Sequence, residues 1–217
     1  MCSVFKPTHN AGWVRNQFGV DLPGQQSMDV YPGHLAPIVV KSHRDDRVAA
    51  GLARFGLIPA WSKDDKISRH TYNARTETVA DKPSYRSAWR NRHFAIVLAD
   101  GFYEPCYESG RAVRWEIRSS HREPLGIAGL WDRWTNPVTG QVVASFTMLT
   151  INADDHPVMR RFHRPEDEKR TPVVLPVDKY MTWLDATPDT AMDMLRLEWM
   201  PELSAEPVDT TNRPTLS

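Results

Sequence analysis

The sequence predicts an α+β protein, in which a few short helices interrupt several antiparallel strands. Short apolar stretches of strand-forming residues recur along the chain between turn residues. The 217 residues include 17 Pro and 8 Trp, a composition typical of many short elements joined by rigid loops. The length predicts one domain, residues 2–199, and the proline-containing residues 200–217 are expected to form an extended C-terminal tail.

Charge and composition restrict the possible partners. Hydrophobic residues make up 41% and charged residues 25% of the chain, as is ordinary for a soluble globular protein. Lys plus Arg and Asp plus Glu number 27 each, so the formal net charge is zero. A bulk attraction to nucleic acid is therefore excluded, and any nucleic-acid site has to be a local basic groove.

The sequence carries no sign of a membrane segment. No apolar run approaches the roughly 20 residues that cross a bilayer. The first residues also lack the charged and apolar regions of a signal peptide. We therefore expect a cytoplasmic protein with no membrane partner.

The two cysteines, Cys2 and Cys106, are too few for a disulfide framework, which fits a reducing compartment. No CxxC or HExxH spacing marks a metal site. The triplet at residues 154–156 (Asp-Asp-His) is set aside, because adjacent side chains rarely converge on one ion. The sequence predicts neither a metal nor another cofactor.

The first half of the chain alternates helix, strand and loop signals. Residues 8–19 predict a short helix, with Thr8 as its N-cap and Gly19 past its end. Leu35–Lys41 and Val48–Phe55 predict two strands. Residues 62–82 are polar and weakly periodic and predict a long loop, a kind of segment that is often functional.

The second half predicts further strands and short helices. An amphipathic pattern at 83–92 indicates a helix. The expected strands lie at 94–98, 113–117, 125–131, 142–151 and 171–175, the second of them returning from a hairpin turn near 108–110. Two more helices are expected at 178–184 and 189–197, where Pro188 suits a first-turn position.

The dipeptide Met1-Cys2 carries the most unusual chemistry. Removal of Met1 would place an α-amine and a thiol on one carbon skeleton. The amine forms a Schiff base with an aldehyde, and the thiol then adds to the same carbon and closes a five-membered thiazolidine. The alternative is that Cys2 is incidental, and position alone favours that alternative.

Two further residues are candidates for proton transfer. Glu104 follows Phe102 and Tyr103 on an apolar strand, an environment that raises a carboxyl pKa and suits a general acid. His163 lies among arginines, whose positive charge keeps an imidazole neutral and available as a base. The alternatives are a solvent-facing glutamate and an exposed loop histidine.

Three residues are candidates for binding. Asn73 and Arg75 lie beside an apolar stretch, with a turn residue and a surface charge as the alternatives. Trp61, shortly after Pro59, is a candidate stacking platform for a nucleobase, a contact worth about 1–3 kcal/mol per base. The alternative is a core tryptophan.

These residues stand in motifs that resemble the SOS-response-associated peptidase (SRAP) family of abasic-site processing proteins. Six motifs occur in the family's order: Met-Cys at 1–2, Gly-Leu-Ile-Pro-Ala-Trp at 56–61, Asn-Ala-Arg-Thr-Glu-Thr at 73–78, Ala-Asp-Gly-Phe-Tyr-Glu at 99–104, Ala-Gly-Leu-Trp at 128–131, and His163 upstream of Arg-Thr-Pro-Val-Val-Leu at 170–175. The resemblance runs from residue 2 to about residue 185. It implies a single domain whose twisted antiparallel sheets form a barrel-like core flanked by short helices.

The resemblance also implies roles for the candidate residues. Cys2, freed of Met1, would form the thiazolidine with the ring-opened sugar of an abasic site in single-stranded DNA. Asn73 would hold the sugar or the N-terminus, Glu104 would move protons during ring opening and Met1 removal, and His163 would act at the Schiff-base stage.

The same resemblance assigns a DNA-binding surface. Arg75 would grip a phosphate, Trp61 would support the kinked strand beside the lesion, and Arg86 would be a further phosphate contact. Pro32 lies in the segment 29–33 that corresponds to the family's Asn-x-Ala-Pro.

Some positions depart from the family's pattern. Cys2 is followed by Ser3 and Val4 where the family usually has Gly-Arg, so a DNA-contacting arginine is missing. Asp29 places an acid near the expected DNA path. The insertion between His163 and Arg170 is longer than in the compact form of the motif.

The leading hypothesis is a monomeric abasic-site sensor that crosslinks to single-stranded DNA through Cys2 and is nucleoid-associated when bound. Autopeptidase activity on Met1 is implied, and the Schiff base also permits strand cleavage by β-elimination. Two alternatives stay open: a protein that removes only its own Met1, and a non-catalytic nucleic-acid or protein binding module.

Overall fold

A computed structural model describes residues 2–24, 28–42 and 44–208 and confirms the α+β class. Within these ranges the strands are β1 (Val4–Pro7), β2 (Leu35–Lys41), β3 (Val48–Phe55), β4 (Asn73–Arg75), β5 (Phe94–Cys106), β6 (Val113–Ser119), β7 (Leu125–Thr135), β8 (Val142–Asn152), β9 (Arg170–Pro172), β10 (Val174–Leu175) and β11 (Leu203–Pro207).

The described helices are short. They are α1 (Ala11–Phe18), α2 (Arg86–Arg90), α3 (Tyr180–Asp185) and α4 (Pro188–Met194). Single 3₁₀ turns lie at Lys66–His70, Met159–Arg161, Val177–Lys179 and Leu197–Trp199. No helix in the described part of the chain is long and apolar enough to cross a membrane.

Five strands close into a barrel, as the resemblance implies. They follow the order β7, β8, β3, β2, β5, and β5 pairs again with β7. Closure removes the unpaired edges that an open sheet would present. The pairing is not wholly antiparallel, since β3 and β4 both run parallel to β8. Parallel pairing arises because the chain crosses over between these strands and does not turn back directly.

Alternating residues of the barrel strands feed two separate cores. Along β5, Ala95 and Val97 belong to one apolar cluster and Ile96 and Leu98 to the other, as the two-residue period of a strand requires. All four helices contribute buried residues to the second cluster, the one that contains Ile96 and Leu98. The helices therefore cover the outside of the barrel, and the first cluster fills its interior.

The strand β5 extends well beyond the predicted 94–98. Its first half pairs with β2 and β7 in the barrel, and its second half pairs with β6 and β1. A side chain at Gly101 would come within 2.7 Å of the Ile117 carbonyl oxygen. Glycine permits this close approach, so Asp100-Gly101 continues the strand and does not form a turn.

The helix predicted at 8–19 begins later than expected. The Asn10 side chain, and not Thr8, caps α1 by accepting the Trp13 N–H at 2.9 Å. Thr8 instead accepts the N–H of Asn10 through its hydroxyl at 3.2 Å. Gly19 ends the helix in the left-handed conformation, as predicted.

Several other boundaries also differ. The strands Leu35–Lys41 and Val48–Phe55 match the prediction, whereas the loop 62–82 contains a 3₁₀ turn and β4. The strand predicted at 171–175 divides at Val173, because β9 pairs with β8 while β10 pairs with β7. The helices predicted at 83–92 and 189–197 are shorter, ending at Arg90 and Met194.

Part of the predicted C-terminal tail joins the sheet. β11 is extended, and it pairs antiparallel with β6 from Leu203↔Ser119 to Pro207↔Trp115. Residues 209–217 lie outside the described residues.

Candidate active site

Cys2 lies in the interior core of the barrel. Its side chain is fully buried beside the cluster that contains Phe5. The following strand, β1, pairs with the second half of β5, with Val4 opposite Tyr103. Extending this register by one residue places Ser3 opposite Glu104, so strand pairing brings the start of the chain to Glu104.

Glu104 is a buried carboxyl on β5. It is almost fully enclosed by the protein and pairs across the sheet with Trp115. Burial raises its pKa to about 7, because desolvation disfavours the charged form. Near neutral pH the carboxyl is therefore present in both protonation states, the property required for moving protons in either direction.

His163 reaches Glu104 from the loop before β9. Its backbone N–H donates to the Pro105 carbonyl at 3.0 Å, and its φ of 65° places it in the left-handed region. The Nδ1 atom lies 3.6 Å from Glu104 Oε2, and Nε2 lies 3.2 Å from the Arg170 carbonyl oxygen. A carbonyl only accepts, so Nε2 carries the proton of the neutral ring and Nδ1 faces the carboxyl as an acceptor.

The imidazole of His163 is neutral, as predicted, but for a different first cause. Burial lowers its pKa to about 4, and the charge of Lys169 contributes less. The neighbouring arginines, which the sequence suggested as the cause, are directed elsewhere. Arg161, for example, pairs with Glu108 at 2.8 Å.

The thiol of Cys2 is protonated in this setting. Burial, and then the charge of Glu104, raise its pKa far above the ordinary value. The Sγ atom lies 3.6 Å from the Val4 carbonyl oxygen. Because the thiolate is the nucleophile, a neighbouring base has to take the thiol proton as the sulfur reacts.

Asn73 is the first residue of β4, which pairs with β8. The Asn73 side-chain Nδ2 donates to the Tyr72 backbone carbonyl at 2.9 Å. The backbone carbonyl of Asn73 accepts a hydrogen bond from the Tyr85 hydroxyl at 2.9 Å. Its Oδ1 is buried and has no hydrogen-bond partner in the described part of the chain. A buried acceptor without a partner is costly unless a ligand supplies the missing donor.

Arg75, the predicted phosphate contact, is half exposed and held by an acid. Its guanidinium pairs with Glu168 at 2.8 Å, and Glu168 also pairs with the buried Arg170 at 2.6 Å. Arg170 further binds Glu77 and the Thr150 carbonyl. This network links Arg75 to the residue whose carbonyl holds His163.

Trp61 is an exposed residue and not a core tryptophan. Its side chain is 57% exposed, while the indole N–H donates to the Pro83 carbonyl at 3.1 Å and fixes the ring. Arg86 is exposed at the start of α2, three residues after Pro83. Pro32 is half-buried in the turn that leads to β2.

Asp29 does not present a free negative charge near these residues. Its carboxylate pairs with Arg114 at 2.8 Å, and the Arg114 guanidinium lies 3.7 Å from the centroid of the Tyr103 ring. Arg114 and the Glu77–Arg170 pair were missed from the sequence. Glu77 and Arg170 lie within the motifs at 73–78 and 170–175, and these motifs could have identified both residues. No sequence motif marks Arg114, because only strand pairing brings it to Asp29.

No group of three or more His, Cys, Asp or Glu residues is arranged to hold a metal ion in the described ranges. The fold and the site define a small α+β barrel with a buried thiol, carboxyl and imidazole where the chain enters the barrel. The family model "SOS response associated peptidase (SRAP)" matches residues 1–212, so the chain belongs to this family.

Relatives and solved structures agree with this membership. Abasic site processing protein YoaM of Bacillus subtilis is 30% identical over 204 residues, which cover 90% of this chain and 85% of the relative. Abasic site processing protein HMCES of Xenopus tropicalis is 28% identical over 183 residues, covering 70% of this chain and 49% of that protein. The chain therefore spans about half the length of that relative.

Two crystal structures share the fold. A protein from Bordetella bronchiseptica superposes with a TM-score of 0.84 at 33% identity, covering 96% of this chain and 100% of that chain. A protein from Bacteroides thetaiotaomicron superposes with a TM-score of 0.77 at 20% identity, covering 96% and 93%.

Proposed function

We propose that this protein processes abasic sites in single-stranded DNA by forming a thiazolidine crosslink through Cys2 after Met1 is removed. The observation that carries this function is the buried Glu104–His163 pair at 3.6 Å, on the strand to which the residues after the buried Cys2 pair, with Val4 opposite Tyr103. Two curated relatives carry the name abasic site processing protein.

The first step exposes the amine. Water adds across the Met1–Cys2 peptide bond, with its hydroxyl going to the Met1 carbonyl carbon and its proton to the Cys2 nitrogen. Glu104, in its carboxylate form, accepts a proton from the attacking group and, once protonated, donates it to the leaving nitrogen.

The second step joins protein to sugar. The Cys2 nitrogen attacks the aldehyde carbon of the ring-opened sugar, and loss of water gives a Schiff base. The Cys2 sulfur then adds to the same carbon, while its proton is transferred to the nitrogen. Overall one water is released. Glu104 is placed to accept the thiol proton, and the neutral His163 is the second group within reach for proton transfer.

The DNA strand is placed by residues around this site. Trp61 offers an exposed ring for a base beside the lesion, and Arg86 lies near it for a phosphate. Arg75 binds a phosphate once it releases Glu168, and Pro32 borders the path. The buried Oδ1 of Asn73 accepts a hydrogen bond from the opened sugar or from the N-terminal amine.

Two observations favour a second candidate function, Met1 removal without DNA processing. Arg75 is paired with Glu168, and an arginine is lacking at positions 3 and 4. Both features weaken the affinity for DNA phosphates while leaving Cys2, Glu104 and His163 in place.

A denaturing gel separates the two functions. Purified protein whose N-terminal Cys2 has been verified by mass spectrometry is incubated with single-stranded DNA that carries one abasic site. A slow-migrating band that requires Cys2, and that is absent with intact DNA, supports crosslinking. Absence of the band from protein that has lost Met1 supports the second candidate.

A further inference from the structure

A cavity lies at the start of β5, at the opposite end of this strand from Glu104. It has a volume of about 390 Å³ and is formed where β2 ends, β5 begins and β7 passes. We call it the basic pocket; its lining includes Lys41, Arg44, Arg92, His93, Trp131 and Arg133. Glu104 lies ten residues beyond the start of β5, roughly 33 Å along an extended strand. The basic pocket is thus separate from the candidate active site.

Two cations are built into the wall of the basic pocket. Lys41 pairs with Asp46 at 2.8 Å and with Asp185 at 2.6 Å. Arg92 donates to the carbonyl oxygens of Asp185 and Ala186 at 2.7 and 2.9 Å. These bonds fix both side chains before any ligand arrives, which lowers the entropy cost of binding.

Two more cations stand at the mouth of the basic pocket. Arg44 and Arg133 are both exposed, and the Arg133 guanidinium lies 5.3 Å from the centroid of the Trp131 ring. Guanidinium groups match the geometry of phosphate oxygens and bind them with charge-assisted hydrogen bonds. Lys41 is already paired with two carboxylates, so the positive charge that a bound anion would balance is mainly that of the three arginines of the pocket.

The remaining wall is aromatic. The rings of His93 and Trp131 lie 5.4 Å apart at 35°. Asp132, a carboxylate of the lining, is mostly buried and accepts the backbone N–H of Arg133 at 2.8 Å. Its negative charge is outnumbered by the four cations of the lining, Lys41, Arg44, Arg92 and Arg133.

From this arrangement we infer that the basic pocket binds a nucleotide unit, with its phosphate on Arg44 and Arg133 and its base or sugar against Trp131. The volume exceeds what a lone phosphate needs and lies in the range of small-ligand sites. The same chemistry is presented by a free mononucleotide and by a nucleotide within a strand. This site does not depend on Cys2.

Titration calorimetry on the full chain distinguishes these sources. The probes are inorganic phosphate, a deoxynucleoside monophosphate and a short single-stranded oligonucleotide without abasic sites. We expect Arg44→Ala/Arg133→Ala to weaken binding of the mononucleotide at least about tenfold, the loss typical of removing charge-assisted hydrogen bonds. If the oligonucleotide alone binds and is weakened by this variant, the ligand is a strand.

The controls keep this inference independent of the crosslink. Arg111→Ala/Arg196→Ala removes the same charge from exposed positions outside the basic pocket and should bind as the wild type does. Cys2→Ser should also bind normally, whether or not the wild type forms a crosslink. Binding that is equal in wild type and in Arg44→Ala/Arg133→Ala, or absent for all three probes, overturns the inference.

Discussion

The Nδ1 atom of His163 lies 3.6 Å from Oε2 of Glu104, and both side chains are buried. Since Nε2 faces the Arg170 carbonyl, the atom directed at the carboxyl is a proton acceptor. If these two atoms moved slightly closer, protonated Glu104 would donate a hydrogen bond to Nδ1 of His163. The pair is thus arranged to share one proton beside the Cys2 thiol.

Replacing Glu104 with Gln should change the pH dependence of stability. Its pKa is raised from 4.5 to about 7 in the folded protein, so the folded state binds more protons than the unfolded state between these values. Stability of the wild type therefore falls as pH rises through this window. The free energy of unfolding of Glu104→Gln, relative to that of the wild type, should therefore increase by on the order of 3 kcal/mol between pH 4.5 and 7. It should not increase further above pH 7.

Urea unfolding at a series of pH values measures this difference. The exposed substitution Glu202→Gln is the control and should follow the wild type. The lowered pKa of His163 removes stability as pH falls from 6.5 to about 4, and His163 contacts Glu104, so the comparison is repeated with His163→Asn in both proteins to remove this contribution. A pH-independent difference between Glu104→Gln and the wild type would contradict the raised pKa.

Replacing His163 with Asn should preserve the backbone and slow the chemistry. Asn tolerates the left-handed conformation found at φ 65°, so the fold should be retained by circular dichroism. Loss of a proton-transfer group typically lowers a reaction rate by a factor of about 10²–10⁴. The rate to be measured is that of crosslink formation. His163→Val should in addition lose stability, since a β-branched residue is strained at this φ. An unchanged crosslinking rate in His163→Asn would remove His163 from the mechanism.

Replacing Glu168 with Gln should strengthen DNA binding. Glu168 neutralises Arg75 at 2.8 Å, and exposed ion pairs are worth about 0.2–1 kcal/mol. Affinity for single-stranded DNA should rise by up to about fivefold, measured by fluorescence anisotropy at fixed salt. Glu166→Gln, an exposed acid in the same loop with a looser pair to Arg164 at 4.0 Å, is the matched control. Equal effects of the two variants would indicate a general charge effect.

Replacing Trp61 with Ala should weaken DNA binding without weakening the fold. The side chain is 57% exposed, so little buried area is lost, while a stacking contact of about 1–3 kcal/mol disappears. Trp199→Ala, at another exposed tryptophan with 42% exposure, serves as the comparison in the same anisotropy assay. Equal affinities of both variants and the wild type would rule out Trp61 as a stacking platform.

The strands were predictable where local patterns decide them. Leu35–Lys41 and Val48–Phe55 follow directly from apolar content and turn residues. The length of β5 was not predictable, because Asp100-Gly101 is typical of a turn and only the close approach of Ile117 explains why the strand continues. The division at Val173 depends likewise on a change of pairing partner.

The site was predictable as a set of residues and not as a geometry. Motifs identified Glu104 and His163, but the contact between them depends on a loop that returns to β5 through the bond from His163 N–H to Pro105. The sequence also does not predict the pairing of Arg75 with Glu168, because nothing in it distinguishes either residue from an ordinary surface charge.

The central claim is most directly tested by intact-mass spectrometry of the protein after incubation with an abasic-site oligonucleotide. Formation of a thiazolidine predicts a covalent species whose mass is that of Met1-free protein plus DNA minus one water. The species should survive without borohydride reduction and should be absent from Cys2→Ser. A protein that has lost Met1 yet forms no such species, or an equally stable adduct with Cys2→Ser, would contradict the claim.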